Sequence, residues 1–130
     1  MFDGYIFTPE SLRPVAEDGQ VIGFELDTRI PYYRSIPLSM VDDVRVSVDG
    51  QDVARQDIRF SADGGAHWFT LDEMTTVDTY RWEYADEATV RVLRPGGLEP
   101  GEHEVCVGIN VRVAYIPAPI GGEMTRTVTL

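Results

Sequence analysis

The chain has 130 residues, 22 acidic against 11 basic, for a formal charge of −11, and every basic residue is an arginine. That length predicts one domain spanning residues 1–130, with chain enough for a real core but too little for a catalytic barrel plus a binding module. With no lysine-rich patch to follow phosphates, nucleic acid and anionic membranes are poor candidate partners.

No segment approaches the roughly 20 apolar residues of a membrane span. Met1-Phe2-Asp3-Gly4-Tyr5 lacks the basic start and apolar run of a secretion signal, so a cytoplasmic location is expected. The lone cysteine, Cys106, excludes an internal disulfide and fits a reducing compartment. Set among valines, it reads as a small inert side chain.

In chain order, Asp18-Gly19 marks a turn, and Val21 to Thr28 alternates as a strand should. Arg29 to Met40 is bracketed by prolines, which mark an edge strand, a bulge or a crossing loop. Val44, Val46 and Val48 alternate up to Asp49-Gly50, the dipeptide favoured in a two-residue type I′ hairpin. Ile58 to Ser61 is the next strand, interrupted by Asp63-Gly64-Gly65 before Ala66 to Phe69. Thr70-Leu71-Asp72-Glu73 has the form of a capping box and predicts one helical turn over 71–75.

Tyr80, Trp82 and Tyr84 alternate with Arg81 and Glu83, and Ala88, Val90 and Val92 alternate with Thr89 and Arg91. A hairpin at 85–87 would join these two runs. The clearest strand runs from Val105 to Tyr115, with Val105, Val107, Ile109, Val111, Val113 and Tyr115 on one face. It would be roughly 35 Å long, and burying six large side chains at about 1.5–3 kcal/mol each makes it a main contributor to the fold. The apolar segment from Ile116 to Gly122 follows, its prolines barring it from central sheet pairing. Thr125 to Leu130 closes the chain as a last short strand. The expected fold is therefore all-β: a two-sheet antiparallel β-sandwich of eight or nine strands with at most one short helical turn.

Candidates for chemistry are few. His67 and His103 have no partner at metal-ligand spacing, and His103 and Glu104, adjacent on a strand, point to opposite faces. Both histidines read as residues of turns, with His67 beside Trp68 a possible loop-tip donor. The pairs Asp42-Asp43, Asp72-Glu73 and Asp86-Glu87 read as solvated turns, because adjacent carboxylates rarely converge on one ligand. Neither a phosphate-binding glycine loop nor a nucleophile elbow occurs. No catalytic residue, metal ligand or cofactor is therefore assigned to this chain.

Interaction chemistry is the positive signal. Tyr32, Tyr33 and Arg34 are of the residue types that dominate interface hot spots, and the nearby prolines stiffen their backbone. Tyr115, Ile116, Pro117 and Ile120 form a second such patch, and both segments otherwise fold back over the ends of the sandwich. A different reading uses Trp68, Tyr80, Trp82 and Tyr84 as stacking platforms of a stand-alone carbohydrate-binding module, although a trio on one strand face is more often core.

Several runs have a familiar order and spacing: Met1-Phe2-Asp3-Gly4, Ile30-Pro31-Tyr32-Tyr33-Arg34-Ser35-Ile36-Pro37-Leu38-Ser39, Val48-Asp49-Gly50, and Gly97-Leu98-Glu99-Pro100-Gly101-Glu102-His103-Glu104-Val105 leading to Tyr115-Ile116-Pro117. Across nearly the whole chain they resemble the small beta subunit of bacterial C-glycoside deglycosidases. The resemblance implies a heteromeric lyase whose larger alpha subunit, a sugar-isomerase-like TIM barrel with a divalent metal, expected to be manganese, carries the chemistry. This chain would be its β-sandwich companion, reaching the glycoside only through the complex. The expected partner contacts are Tyr32, Tyr33, Arg34, Ile36, Pro37, Tyr115, Ile116, Pro117, Pro119 and Ile120.

Overall fold

The computed structural model describes residues 6–31, 34–84, 86–112 and 120–130. Among these residues eleven strands run in chain order as β1 (Phe7–Glu17), β2 (Gln20–Thr28), β3 (Ile36–Pro37), β4 (Val41–Val48), β5 (Gln51–Asp52), β6 (Ile58–Ser61), β7 (Phe69–Thr70), β8 (Arg81–Trp82), β9 (Ala88–Leu93), β10 (Glu102–Val111) and β11 (Ile120–Thr129). They form a five-stranded sheet in the order β1-β2-β9-β6-β7, a four-stranded sheet in the order β11-β10-β4-β5, and a two-stranded ribbon, β3-β8. Every pairing is antiparallel. The fold is all-β, and no helix among the described residues is long and apolar enough to cross a membrane.

The alternation that begins at Val105 does what the period-two pattern requires. Val105, Val107, Ile109 and Val111 are all buried in the core, while Cys106 and Asn110 on the other face are half-buried. β10 pairs with β11 on one side and β4 on the other, from Val105 opposite Val48 to Val111 opposite Val41. Val113 and Tyr115, expected to extend this strand, lie outside the described residues.

Asp49 and Gly50 both take positive φ, 52° and 81°, as a type I′ hairpin demands. Across the core, Phe24, Leu26, Phe60, Val90 and Val92 of the five-stranded sheet share one hydrophobic cluster with the inner face of β4 and β10. The helical turn α1 (Leu71–Met74) has its capping box: Glu73 N–H donates to Thr70 Oγ1 at 3.1 Å, and Thr70 N–H donates to Glu73 Oε1 at 2.8 Å.

The all-β reading holds, but the described residues form eleven strands rather than eight or nine, with the β3-β8 ribbon as a third sheet, and four local stretches differ from the sequence reading. β1 was not foreseen, because Pro9 and Pro14 interrupt its alternation. It is an edge strand with register shifts between Thr8 and Arg13 and between Val15 and Ala16, and edges and bulges are where proline is tolerated.

β11 begins at Ile120 rather than Thr125, and takes in Gly121, where a Cβ would lie 2.0 Å from the Ile109 carbonyl oxygen. Glycine there permits the close approach of the β10 backbone. The Ala66 to Phe69 run pairs only at Phe69–Thr70.

The Tyr80 to Tyr84 run does not form a hairpin with β9; only Arg81 and Trp82 pair, and with β3. Burial of Trp82 decides this. The ring is fully buried, meets Phe60 edge-on at 5.2 Å, and donates its indole N–H to the Asp86 carbonyl at 3.1 Å.

Candidate functional site

Of the residues expected to meet a partner, Tyr32, Tyr33, Tyr115, Ile116, Pro117 and Pro119 lie outside the described residues. Arg34 is exposed, Pro37 and Ile120 are half-buried, and Ile36 belongs to the chain's own core. The backbone beyond Arg34 is tightly held. Ser35 Oγ accepts from Tyr84 N–H at 2.8 Å, the Ser35 carbonyl accepts from Arg81 Nη2 at 3.2 Å, and Leu38 N–H donates to the Tyr80 carbonyl at 3.0 Å. The β3-β8 ribbon is thus a fixed platform with Arg34 at one end and Tyr84, 58% exposed, beside it.

The aromatic side chains do not share a stacking shelf. Trp82 is core, and Tyr80 packs against the rings of His67 at 4.8 Å and Phe69 at 5.4 Å. The Trp68 ring is covered by the Arg91 guanidinium, 4.1 Å from its centroid. That arginine belongs to a polar ladder across the outer face of the five-stranded sheet. Glu25 Oε2 receives Arg91 Nε at 2.7 Å and Nη2 at 2.6 Å, while Glu25 Oε1 receives Arg13 Nη2 at 3.1 Å. Glu25 is buried, and its charge is compensated from both neighbouring strands.

The acidic pairs diverge as adjacent carboxylates should. Asp42 binds Arg112 at 2.7 Å, Asp43 binds Arg55 at 2.8 Å, and Asp72 takes a second contact from Arg55 at 3.1 Å. Among the described residues no group of three or more histidine, cysteine or carboxylate side chains is placed to hold a metal ion.

His103 brings together two runs that are far apart in the sequence. Its Nδ1 lies 2.8 Å from Asp49 Oδ2 and its Nε2 lies 2.6 Å from the Glu99 carbonyl oxygen. Asp49 Oδ1 also accepts from Glu104 N–H at 2.8 Å. A carboxylate and a carbonyl are both acceptors, so the pair is best satisfied by the protonated imidazole, in which both ring nitrogens donate. The Asp49 hydrogen bond, with a further contribution from the Glu99 carbonyl, raises the His103 pKa above its ordinary value. The same His103 contact, then the Glu104 N–H, lowers that of Asp49.

The loop held by this clasp places Leu98 and Pro100 against Pro14, Phe24 and Leu130, around an apolar cleft of about 280 Å³. No local signal in the sequence announces the Asp49–His103 pairing, since the two residues are 54 apart.

His67 is held by Asp63, four residues earlier, with Nδ1 2.6 Å from Oδ2. Asp63 Oδ1 accepts from Ser61 Oγ at 2.8 Å and from His67 N–H at 3.0 Å. Burial pushes the Asp63 carboxyl up, but the hydrogen bonds from the His67 ring, the His67 N–H and Ser61 outweigh it and hold the pKa at about 2. In the sequence Asp63 stands out only as part of the Asp63-Gly64-Gly65 break between two strands.

The family model of the C-glycoside deglycosidase beta subunit matches residues 2–115. A "C-glycoside deglycosidase beta subunit" from Eubacterium cellulosolvens is 30% identical over 100 residues, covering 77% of this chain and 67% of the relative. A "3'-dehydrocarminate deglycosidase beta subunit" from Microbacterium sp. is 33% identical over 118 residues, covering 90% and 83%. A second "C-glycoside deglycosidase beta subunit", from Microbacterium trichothecenolyticum, is 30% identical over 94 residues, covering 70% and 67%. The Val48-Asp49-Gly50 and Gly97-to-His103 runs that carried the resemblance are the two that His103 ties together, and the chain belongs to the C-glycoside deglycosidase beta-subunit family.

Proposed function

We propose that this chain is the non-catalytic subunit of a heteromeric, cytoplasmic carbon–carbon lyase that releases the aglycone of 3-oxo-C-glycosides. Its partner is a TIM-barrel alpha subunit that supplies the catalytic base and the ligands of a divalent metal, manganese. The family match over residues 2–115 carries this reading.

The chemistry explains the division of labour. A C–C glycosidic bond has no leaving oxygen to protonate, but a ketone at C3 of the sugar acidifies the C2 proton, so a base can start an elimination that forms a C1–C2 double bond as the C1–aglycone bond breaks, the aglycone carbon taking up a proton as it leaves. The metal, when bound by the partner, supplies Lewis-acid stabilisation of the negative charge on the C3 oxygen. In this chain several carboxylates are already engaged: Asp42, Asp43 and Asp72 by arginines, Glu25 by two more, Asp49 and Asp63 by histidines. Its own part is to support the barrel and its loops through the 32–37 and 115–120 segments, with an interface of about 800 Å² or more per side.

Native mass and turnover test the reading together. Co-expressed with an alpha subunit, the chain is expected to migrate as a mixed assembly that cleaves a 3-oxo-C-glycoside, and the isolated chain is expected to be inactive. A monomer that never joins the barrel protein, or one that turns over substrate unaided, overturns it.

A further inference from the structure

The loop between β6 and β7 holds a side chain that the core does not need. The loop is closed by contacts that do not involve the imidazole: Ser61 Oγ donates to Asp63 Oδ1 at 2.8 Å and accepts from Gly65 N–H at 2.9 Å, and the main-chain N–H of residue 67 donates to Asp63 Oδ1 at 3.0 Å whatever its side chain. The imidazole is fixed separately, by the 2.6 Å contact of Nδ1 with Asp63 Oδ2 and by the Tyr80 ring at 4.8 Å. A carboxylate only accepts, so the proton of the neutral ring sits on Nδ1 and the lone pair on Nε2. Nε2 has no hydrogen-bond partner among the described residues, and the side chain is 55% exposed. The contacts of Nδ1 and of the ring face order the side chain, and they leave the Nε2 edge of a held ring facing outward.

The position is also informative. Tyr80, against which the ring packs, hydrogen-bonds through its carbonyl to Leu38, so the imidazole borders the β3-β8 ribbon, the described part of the expected partner-facing segment.

We propose that His67, oriented by Asp63, is a ligand-binding residue that takes a hydrogen bond from a hydroxyl group of the glycoside in the assembled complex. The proposal rests on the reading above that the chain serves a glycoside-cleaving assembly. The hydroxyl belongs either to the sugar or to a phenolic aglycone, since both present the same O–H donor to Nε2.

Two substitutions separate this role from a structural one. In His67→Asn the amide N–H reproduces the Nδ1 bond to Asp63 but ends short of the Nε2 position, whereas the longer amide of His67→Gln reaches it. In the complex, His67→Asn is expected to lower kcat/KM about tenfold through KM, the effect of one lost hydrogen bond, with melting temperature and assembly unchanged. His67→Gln is expected to recover part of that loss.

A pair of substrates with the same 3-oxo sugar, one with its phenolic hydroxyls methylated, identifies the donor. A penalty that disappears with the methylated aglycone assigns the phenol, and one that persists assigns the sugar. An unchanged kcat/KM in His67→Asn overturns the proposal, as does an equal loss in both variants accompanied by a lower melting temperature. Failure of the unsubstituted complex to turn over either substrate overturns the functional reading, and this assignment with it.

Discussion

His103 is the residue whose contacts make stability depend on pH. Its folded pKa is raised, so its contribution is complete below its ordinary value of 6.5 and is lost as pH rises through the higher folded value. The Asp49 pKa is lowered, so its contribution is complete above 3.8 and is lost as pH falls through the lower folded value. The clasp is therefore strongest between 3.8 and 6.5. Replacing His103 by alanine should lower the melting temperature most within that window, and the gap to the unsubstituted chain should narrow as pH rises through the folded pKa above 6.5. A gap that stays constant or widens on the alkaline side would show that the imidazolium is not what holds the Glu99 loop. Composition and spacing place His103 beside a turn but cannot name Asp49 as its partner, because the contact is made by the folding of β4 against β10.

Among the elements, β11 shows where periodicity stops being informative. Gly121 and Gly122 follow a proline-bearing stretch and have no side chains to display alternation, so residues 120–124 carry no strand pattern. The structure nevertheless pairs Gly121 with Asn110 and Gly122 with Ile109. An alanine at 121 would push its Cβ into the Ile109 carbonyl oxygen and the Asn110 side chain, 2.0 Å and 2.7 Å away. Gly121→Ala should cost about 1–3 kcal/mol, as overpacking does, and Thr125→Ala on the exposed part of the same strand should change stability by less than about 0.5 kcal/mol. Denaturant midpoints of the two variants compare these directly, and equal midpoints would mean that the strands do not approach so closely.

β2, β4, β6 and β9 were legible because each keeps one apolar face over four or more residues. β1 and β8 were not. In β1 the prolines and bulges shift which face each residue shows, and in β8 one buried tryptophan fixes a pairing that its neighbours do not encode.

At the scale of the molecule, two inner faces close one core, and the outer surface is organised by arginines that bridge carboxylates from neighbouring segments: Arg13 and Arg91 on one sheet, Arg55 between β4 and α1 on the other side. Arg34 differs from these, being exposed and at the start of the rigid β3-β8 ribbon, next to Tyr32 and Tyr33 in the sequence and near the exposed Tyr84. Arginine and tyrosine on a stiff platform lose little conformational freedom on binding, so the energy of an interface concentrates there. Alanine at Arg34, Tyr33 or Tyr84 should each weaken assembly with the alpha subunit about tenfold or more, the effect of losing roughly 1.4 kcal/mol or more. Folding should be untouched by Arg34→Ala and Tyr84→Ala, since neither side chain is buried in the core. Sedimentation of the mixed complex across a dilution series, with melting of the isolated chain as the control, measures both quantities. Full assembly in all three variants would move the interface away from the ribbon, whereas weakened assembly at unchanged melting temperature would place the partner against it.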